Sequence, residues 1–183
     1  MNLISKTQHL PGLLAKAMFF FAILASLSAC KEQEFENPYY QTPEQMEEQK
    51  RTDEKVIRKY FRDNNVDTTA VQRTNSGLYH LTTTPGQGDL IKVGQQVTVH
   101  YIGKFVNKVT FDNSYSRANP IVFKVGAIPL EVIQGWDEGM QLMRAGEEAF
   151  LFIPSYLAYG YYGKGSIPPN SVLIFEIKVL SAK

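Results

Sequence analysis

The sequence predicts an α+β fold: a curved antiparallel β-sheet, or half barrel, wrapped around one short helix and preceded by a charged N-terminal helix. Beyond Gly77, apolar and polar residues alternate with a period of two, which is typical of half-buried strands. Within that region only residues 136–143 show helical spacing. Upstream, the charged segment 42–65 carries helix start and stop signals. These observations together define the fold class.

The charged helix is predicted to begin at residue 42, because Thr42 can cap it, Pro43 suits the first helical position and Gln45 completes a capping box. Charged residues continue to Asp63, and Asn64-Asn65 ends the helix. Its second half carries a narrow apolar stripe: Val56, Ile57, Tyr60 and Phe61. We expect this stripe to dock on the helix's own domain; a dimerisation arm or a partner-binding helix is the alternative.

Six segments are expected to form the sheet: 78–81, 96–105, 109–111, 121–125, 148–153 and 172–180. One side of the longest strand is expected to face the core: Val97, Val99, Tyr101, Gly103 and Phe105. The Pro- and Gly-containing segment 85–89 predicts a turn, and 107–108 predicts a hairpin turn. The short helix over 136–143 is expected to end at Gly146.

The first 30 residues have the pattern of a secretory signal peptide, in which positive charges precede a short apolar run and a small-residue cleavage site. The apolar run, 17–27, is too short to span a bilayer, because a transmembrane helix needs roughly 20 apolar residues. It ends in Leu27-Ser28-Ala29-Cys30, which resembles the bacterial lipobox. The resemblance implies cleavage after residue 29 and attachment of lipid, including palmitate, to Cys30. A cleavable signal with an incidental cysteine is the alternative.

These signals divide the chain into four regions. They are a lipoprotein signal peptide (1–29), the lipidated Cys30 with a tether (30–41), the charged helix and connector (42–76) and the α+β domain (77–183). We expect a lipid-anchored membrane protein of the cell envelope. The outer membrane is favoured, and both a periplasmic and a surface-facing position stay open. The oligomeric state is not predicted.

Composition argues against several classes of function. Without the two lysines of the signal peptide, 17 basic residues face 18 acidic ones, so the net charge is close to −1 and nucleic-acid binding is not indicated. Cys30 is the only cysteine, which excludes a disulfide within the chain. The sequence has neither the ligand clusters of a zinc site nor a nucleotide-binding loop, and we expect no metal and no cofactor. A hydrolase triad of His100, Asp112 and Ser155 would lack a nucleophile-elbow motif.

Six short segments match one protein family in order and spacing. They are Val99-His100-Tyr101-Ile102-Gly103, Phe111-Asp112-Asn113-Ser114, Glu131-Val132-Ile133-Gln134-Gly135-Trp136, Ala158-Tyr159-Gly160, Ile167-Pro168-Pro169-Asn170 and Leu173-Ile174-Phe175. With these segments, residues 77–183 resemble the FKBP-type immunophilins, the macrolide-binding peptidyl-prolyl cis-trans isomerases. The resemblance implies an enzyme, a rotamase, that acts on X-Pro bonds of proline-containing polypeptides. It also makes a macrolide a candidate ligand.

The resemblance assigns roles to individual residues. Trp136 should form the floor of a proline pocket, and the side chains expected around it are Tyr101, Phe111, Phe123, Val132, Ile133 and Phe175. Ile167 should cover its edge. Tyr159 and the backbone N–H of Ile133 should each donate to a substrate carbonyl. Asp112 should contact Tyr101 and face the twisted amide, with Arg117 as a basic partner. The catalytic set is thus Tyr101, Asp112 and Tyr159.

The chemistry suits an apolar pocket. Rotation about an X-Pro bond meets a barrier of ~18–20 kcal/mol, because the planar amide is stabilised by resonance. Water stabilises that polar ground state, so aromatic walls that exclude water lower the barrier. A weakly catalytic or non-catalytic scaffold lipoprotein that binds proline segments is the alternative function, for instance in the gliding-motility machinery, since lipoproteins of that group share this layout.

Some residues depart from the family pattern. Ile121 stands where Phe is frequent, Leu157 where Tyr is common, and Ser166 replaces an apolar residue beside Ile167. Two extra residues lie within 126–130. These changes are expected to alter the rim of the pocket more than its floor, so macrolide affinity and the preference for the residue before proline are not predicted.

Overall fold

The structure, a computed structural model, describes residues 41–183, which cluster into one compact unit. Residues 41–183 contain two α-helices, α1 (Pro43–Asp63) and α2 (Gln134–Met140). The nine strands are β1 (Gln72–Arg73), β2 (Tyr79–Thr84), β3 (Gln87–Leu90), β4 (Gln96–Phe105), β5 (Thr110–Asn113), β6 (Ile121–Lys124), β7 (Arg144–Ala145), β8 (Glu148–Ile153) and β9 (Leu173–Ala182). The predicted α+β fold class is confirmed. The signal peptide, Cys30 and the tether up to residue 40 lie outside the described residues.

The main sheet is antiparallel and has the order β1-β2-β8-β9-β4-β5, with β6 paired to β4 as well. Strand β4 is therefore central: β9 pairs along its whole length, while β6 and β5 pair with its first and second halves. A second, two-stranded sheet joins β3 to β7. This topology brings the end of β4, the start of β9 and all of β5 together at one end of the sheet.

The alternation predicted for β4 is confirmed, because Val97, Val99 and Tyr101 are buried on one side. Helix α2 packs against that side, and its glycines allow a close approach to β8. A Cβ added to Gly139 would lie 2.4 Å from a methyl carbon of Leu151, which is too close for any side chain there. The half barrel thus closes tightly around α2.

Helix α1 covers the other face of the sheet. Its predicted capping box forms, with the Gln45 N–H donating to Thr42 Oγ1 at 3.2 Å and the Thr42 N–H to Gln45 Oε1 at 2.8 Å. The stripe residues Ile57 and Phe61 are buried, and the Phe61 ring meets Phe152 edge-on at 4.7 Å. The helix therefore docks on its own domain, the first of the alternatives that the sequence left open.

Three predictions made for segments outside the main sheet were wrong. Segment 85–89 is not simply a turn, because Gln87–Leu90 forms β3; all four residues are exposed, so no apolar alternation marks the strand. The short helix is shifted from 136–143 to Gln134–Met140. Gly146 does not end it but has a positive φ of 79° in the turn between β7 and β8. None of these differences alters the main sheet.

Candidate active site

A cavity of about 330 Å³ opens where β4, β5 and β9 meet the start of α2. Eight of the ten predicted site residues line it: Tyr101, Phe111, Asp112, Val132, Ile133, Trp136, Tyr159 and Phe175. They come from five separate stretches of the chain, so the fold itself assembles the site. Its walls are mostly aromatic and aliphatic, as an apolar binding pocket requires.

Trp136, which the resemblance places at the floor of the pocket, lines the cavity. It lies in the first turn of α2 and is only 4% exposed, yet it contributes to the lining. Tyr101 and Phe175 meet its indole edge-on, with ring centroids 4.9 Å and 5.2 Å away. The indole Nε1 is buried, and within residues 41–183 it has no hydrogen-bond partner. The indole ring is thus held by packing, and its N–H group has no hydrogen-bond partner among the described residues.

Phe111 and Asp112 both line the cavity, although neighbouring residues of a regular strand point to opposite faces. The pairing of β4 with β5 passes from Gly103–Asp112 to Lys104–Thr110, which leaves Phe111 as the extra residue of a bulge. A bulge re-aims side chains, so the strict alternation of a regular strand does not hold here. It also explains how an aromatic wall and a carboxylate come to share one site.

The Asp112 carboxylate is fully engaged. It accepts hydrogen bonds from the Tyr101 hydroxyl and the Arg117 guanidinium, and from the Asn113 N–H at 2.8 Å. Arg117 also donates to the Tyr101 hydroxyl oxygen at 3.0 Å. Burial by itself would raise the pKa of Asp112, but these hydrogen bonds outweigh burial and hold the pKa below its usual value. The site therefore presents a carboxylate that stays ionised at neutral pH.

Two hydrogen-bond donors of residues that line the cavity have no partner among the described residues. The Ile133 carbonyl accepts from the N–H groups of Trp136 and Asp137, at 2.9 Å and 3.2 Å, whereas its own N–H makes no such bond. The Tyr159 hydroxyl is likewise unengaged within that part of the chain. Burial, and then the nearby Asp112 charge, raise the pKa of Tyr159, so the phenol keeps its proton. Both groups are available to donate to a peptide carbonyl.

Two predicted site residues lie outside the lining. Phe123 is 2% exposed and packs behind Trp136 at a ring distance of 5.9 Å, while Ile167 is 9% exposed and belongs to the core. Their contact with substrate stays a prediction. Four residues that were not among the ten predicted site residues also line the cavity: Ile121, Leu130, Glu131 and Lys164. The signal that could have found them is their position in the sequence, because each lies within or near a segment already assigned to the site or its rim.

Two further features are absent from the described part of the chain, a metal-binding cluster and a membrane-spanning helix. Between residues 41 and 183 no group of three or more His, Cys, Asp or Glu side chains could hold a metal ion. No helix in the same range has the length and apolar character to cross a membrane. The site offers a cavity with aromatic walls, two hydrogen-bond donors without a partner among the described residues, and a carboxylate that accepts hydrogen bonds from Tyr101 and Arg117.

The fold and the cavity define a class of protein: an α+β domain with a cavity lined by aromatic side chains. Residues 88–180 match the sequence profile of the FKBP-type peptidyl-prolyl cis-trans isomerases, and the chain belongs to this family. The resemblance found in the sequence is thereby confirmed.

Individual relatives and a solved structure support the same family assignment. The chain is 41% identical over 110 residues to the FKBP-type peptidyl-prolyl cis-trans isomerase FkpA of Buchnera aphidicola, a match that covers 60% of this chain and 44% of that protein. It is 43% identical over 99 residues to FK506-binding protein 1 of Dictyostelium discoideum, covering 54% of this chain and 91% of that protein. The crystal structure of FkpA from Escherichia coli matches with a TM-score of 0.61 and 27% identity, over 93% of this chain and 71% of that one. The chain thus spans less than half the length of the first of these relatives.

Proposed function

We propose that this protein is a peptidyl-prolyl cis-trans isomerase that binds an X-Pro segment of a polypeptide in the aromatic cavity and removes water from the prolyl amide. The observation that supports this function best is the joint lining of one cavity by Trp136, Tyr101, Phe111 and Tyr159. The proline ring would rest on the indole, and the amide would lie between aromatic walls that cannot solvate it.

The twisted amide of the transition state has lost resonance, and its carbonyl is less polar than in the planar form. A dry cavity stabilises that state relative to the ground state, which is the requirement for catalysis. The Ile133 N–H and the Tyr159 hydroxyl would hold flanking carbonyls, so that the prolyl amide alone is free to rotate. No bond to the protein forms or breaks in this scheme.

Asp112 would act through its negative charge. The carboxylate is held beside the cavity by Tyr101 and Arg117, so it needs no rearrangement when substrate binds. In the rotated amide the carbonyl carbon would face this carboxylate. The fixed negative charge would then favour the rotated amide over the planar one.

The test is a protease-coupled assay with Leu-Pro and Phe-Pro peptides on the folded protein. We expect catalysed rates, a loss of about tenfold or more in kcat/KM for Tyr159→Phe, and no change for Tyr115→Phe. Tyr115 is the matched control because its ring is 48% exposed and lies outside the cavity. Wild-type rates equal to the uncatalysed reaction would reject the proposal.

The location of the protein is proposed from its N-terminus. The lipobox-like segment 27–30 favours a lipid-anchored protein of the cell envelope whose clients are exported polypeptides. Labelling cells with radioactive palmitate should mark the wild-type protein and not Cys30→Ser, and the substituted protein should leave the membrane fraction. Equal labelling of both proteins would contradict the anchor.

A macrolide is a candidate ligand of the same cavity, since the name of one relative is FK506-binding protein 1. The rim residues Ile121 and Leu130 line the cavity and would contact such a ligand. Inhibition of peptide isomerisation by FK506 measures this directly. If saturating FK506 does not inhibit the reaction, the macrolide is rejected as a ligand, and the isomerase proposal is unaffected.

A scaffold role is the second candidate function, in a membrane-face assembly such as the gliding-motility machinery. It is favoured by the segment 42–76, which lies outside the family match at 88–180. Replacing Asp112 and Tyr159 together separates the two functions. Cells that keep the wild-type phenotype after turnover is lost would support the scaffold.

A further inference from the structure

A carboxylate is buried where α1 meets the segment that leads to Tyr159. Asp53 is 1% exposed, and its Oδ2 accepts from the Ser155 N–H at 2.8 Å and the Ser155 hydroxyl at 2.7 Å. Its Oδ1 accepts from Gln49 Nε2 at 2.7 Å. Both oxygens are thus satisfied, as a buried charge requires. A contact this specific, between residues 102 positions apart, fixes one point of the segment to the helix.

From that point the backbone runs directly to the active site. Ser155 starts a 3₁₀ turn, Ser155–Leu157, and its carbonyl accepts from the Ala158 N–H at 2.9 Å. Ala158 immediately precedes Tyr159, whose side chain lines the cavity. The hydroxyl of Tyr156, inside the turn, donates to the Ser76 carbonyl at 2.8 Å. The turn is therefore held from two sides by the region 42–76.

We propose that Asp53 is a positioning residue that fixes the Tyr159 side chain in the cavity, a role that rests on the isomerase function proposed above. The physical reason is that a phenol must lie within hydrogen-bond reach of a carbonyl to orient it, and a displacement of about 1 Å removes much of the benefit. Segment 42–76 lies outside the family match, so this chain holds a catalytic loop with an element that the family match does not include.

The matched control is the next residue on the helix. Glu54 also receives hydrogen bonds, from Tyr79 at 2.6 Å, Arg58 at 2.6 Å and Arg73 at 3.2 Å, but none of these partners belongs to the 155–159 segment. Glu54→Gln therefore perturbs the docking of α1 without touching the turn.

Steady-state kinetics on the full chain distinguish positioning from simple stabilisation. For Asp53→Ala we expect kcat to fall about tenfold with KM changed less than about twofold, and for Asp53→Asn, which keeps one acceptor oxygen, a smaller loss. Glu54→Gln should keep the wild-type kcat. In a Tyr159→Phe background the effect of Asp53→Ala should shrink to less than about twofold, because there is no hydroxyl left to position.

Amide hydrogen exchange gives a readout that does not depend on activity. Asp53→Asn should raise the exchange rates of the Ser155 and Ala158 amides about tenfold or more, with those of β8 unchanged. An inactive wild-type protein would refute the isomerase function, and exchange would still decide whether Asp53 holds the turn. Unchanged exchange at both amides, or a kcat loss as large in the Tyr159→Phe background as in the wild type, would overturn the proposal.

Discussion

Gly103 offers the sharpest test of how the cavity wall is built. This residue lies on β4 beside the bulge, and a Cβ placed on it would be 2.7 Å from two ring carbons of Phe111 and 2.9 Å from one of Phe175. Ordinary contact begins near 3.4 Å, so in Gly103→Ala the Phe111 ring must move by the difference, about 0.7 Å. The backbone of Gly103 is not in the positive-φ region, so the strain is purely steric.

Overpacking of this size costs about 1–3 kcal/mol of unfolding free energy. For a domain of this length that corresponds to a fall in Tm of about 2–12 °C, measurable by calorimetry. Because the displaced ring is a wall of the cavity, kcat/KM for a Leu-Pro peptide should also fall, by about tenfold. Adding Phe111→Leu to Gly103→Ala should restore the unfolding free energy, since the smaller leucine side chain leaves room for the new Cβ. A Gly103→Ala protein with wild-type Tm and kcat/KM would refute this account of the wall.

Three further outcomes follow from the geometry. Ile57→Ala, which truncates a side chain 1% exposed between α1 and the sheet, should lower the unfolding free energy in urea by about 2–5 kcal/mol, whereas the exposed Val93→Ala should change it by less than about 0.5 kcal/mol. Because the pKa of Asp112 is depressed, kcat/KM should stay level from about pH 8 to about pH 5 and fall only below the usual carboxyl pKa; a decline that begins near neutrality would contradict this. Arg117→Met removes a hydrogen bond that lowers that pKa, so the acid limb of the same profile should move to higher pH.

The sign of the stability effect of Asp112 follows from the same shift. A carboxyl group whose pKa is lower in the folded state than in the unfolded state stabilises the fold above its unfolded pKa, and that contribution is lost as the pH falls through the folded pKa. Loss of stability on acidification should therefore be smaller in Asp112→Asn than in the wild type, which a pH series of urea titrations would measure.

Much of the site could be predicted because its residues lie in short segments that match the family in order and spacing. Trp136 and Ile133 lie in one such segment, and both line the cavity as expected. The side on which Phe111 points could not be predicted, because a bulge depends on the register between two strands and leaves no mark in the period of either one. Strand β3 escaped prediction for a related reason: its residues are exposed on both faces, so pairing with β7 is visible only in three dimensions.

The two faces of the sheet tie the N-terminal helix to the cavity. Along β9, Phe175 faces the cavity while its neighbour Ile174 packs under α1, and along β8, Leu151 and Phe152 divide in the same way. Without α1, the apolar side chains of Ile174 and Phe152 would face water, a surface that soluble domains rarely leave open. The family resemblance begins at residue 77, but the packed unit begins with the helix.

A chain shortened to 77–183 should therefore be less stable than the full chain and should associate. Light scattering is expected to show species larger than one chain, and a dye that binds exposed apolar surface should fluoresce more strongly than with the full chain. Substituting Phe152 and Ile174 with Thr in the shortened chain supplies the control, because polar side chains on that face should reverse both signals. A monomeric shortened chain with wild-type unfolding free energy would show that α1 adds nothing to the domain, and the coupling inferred between Asp53 and Tyr159 would then lose its structural basis.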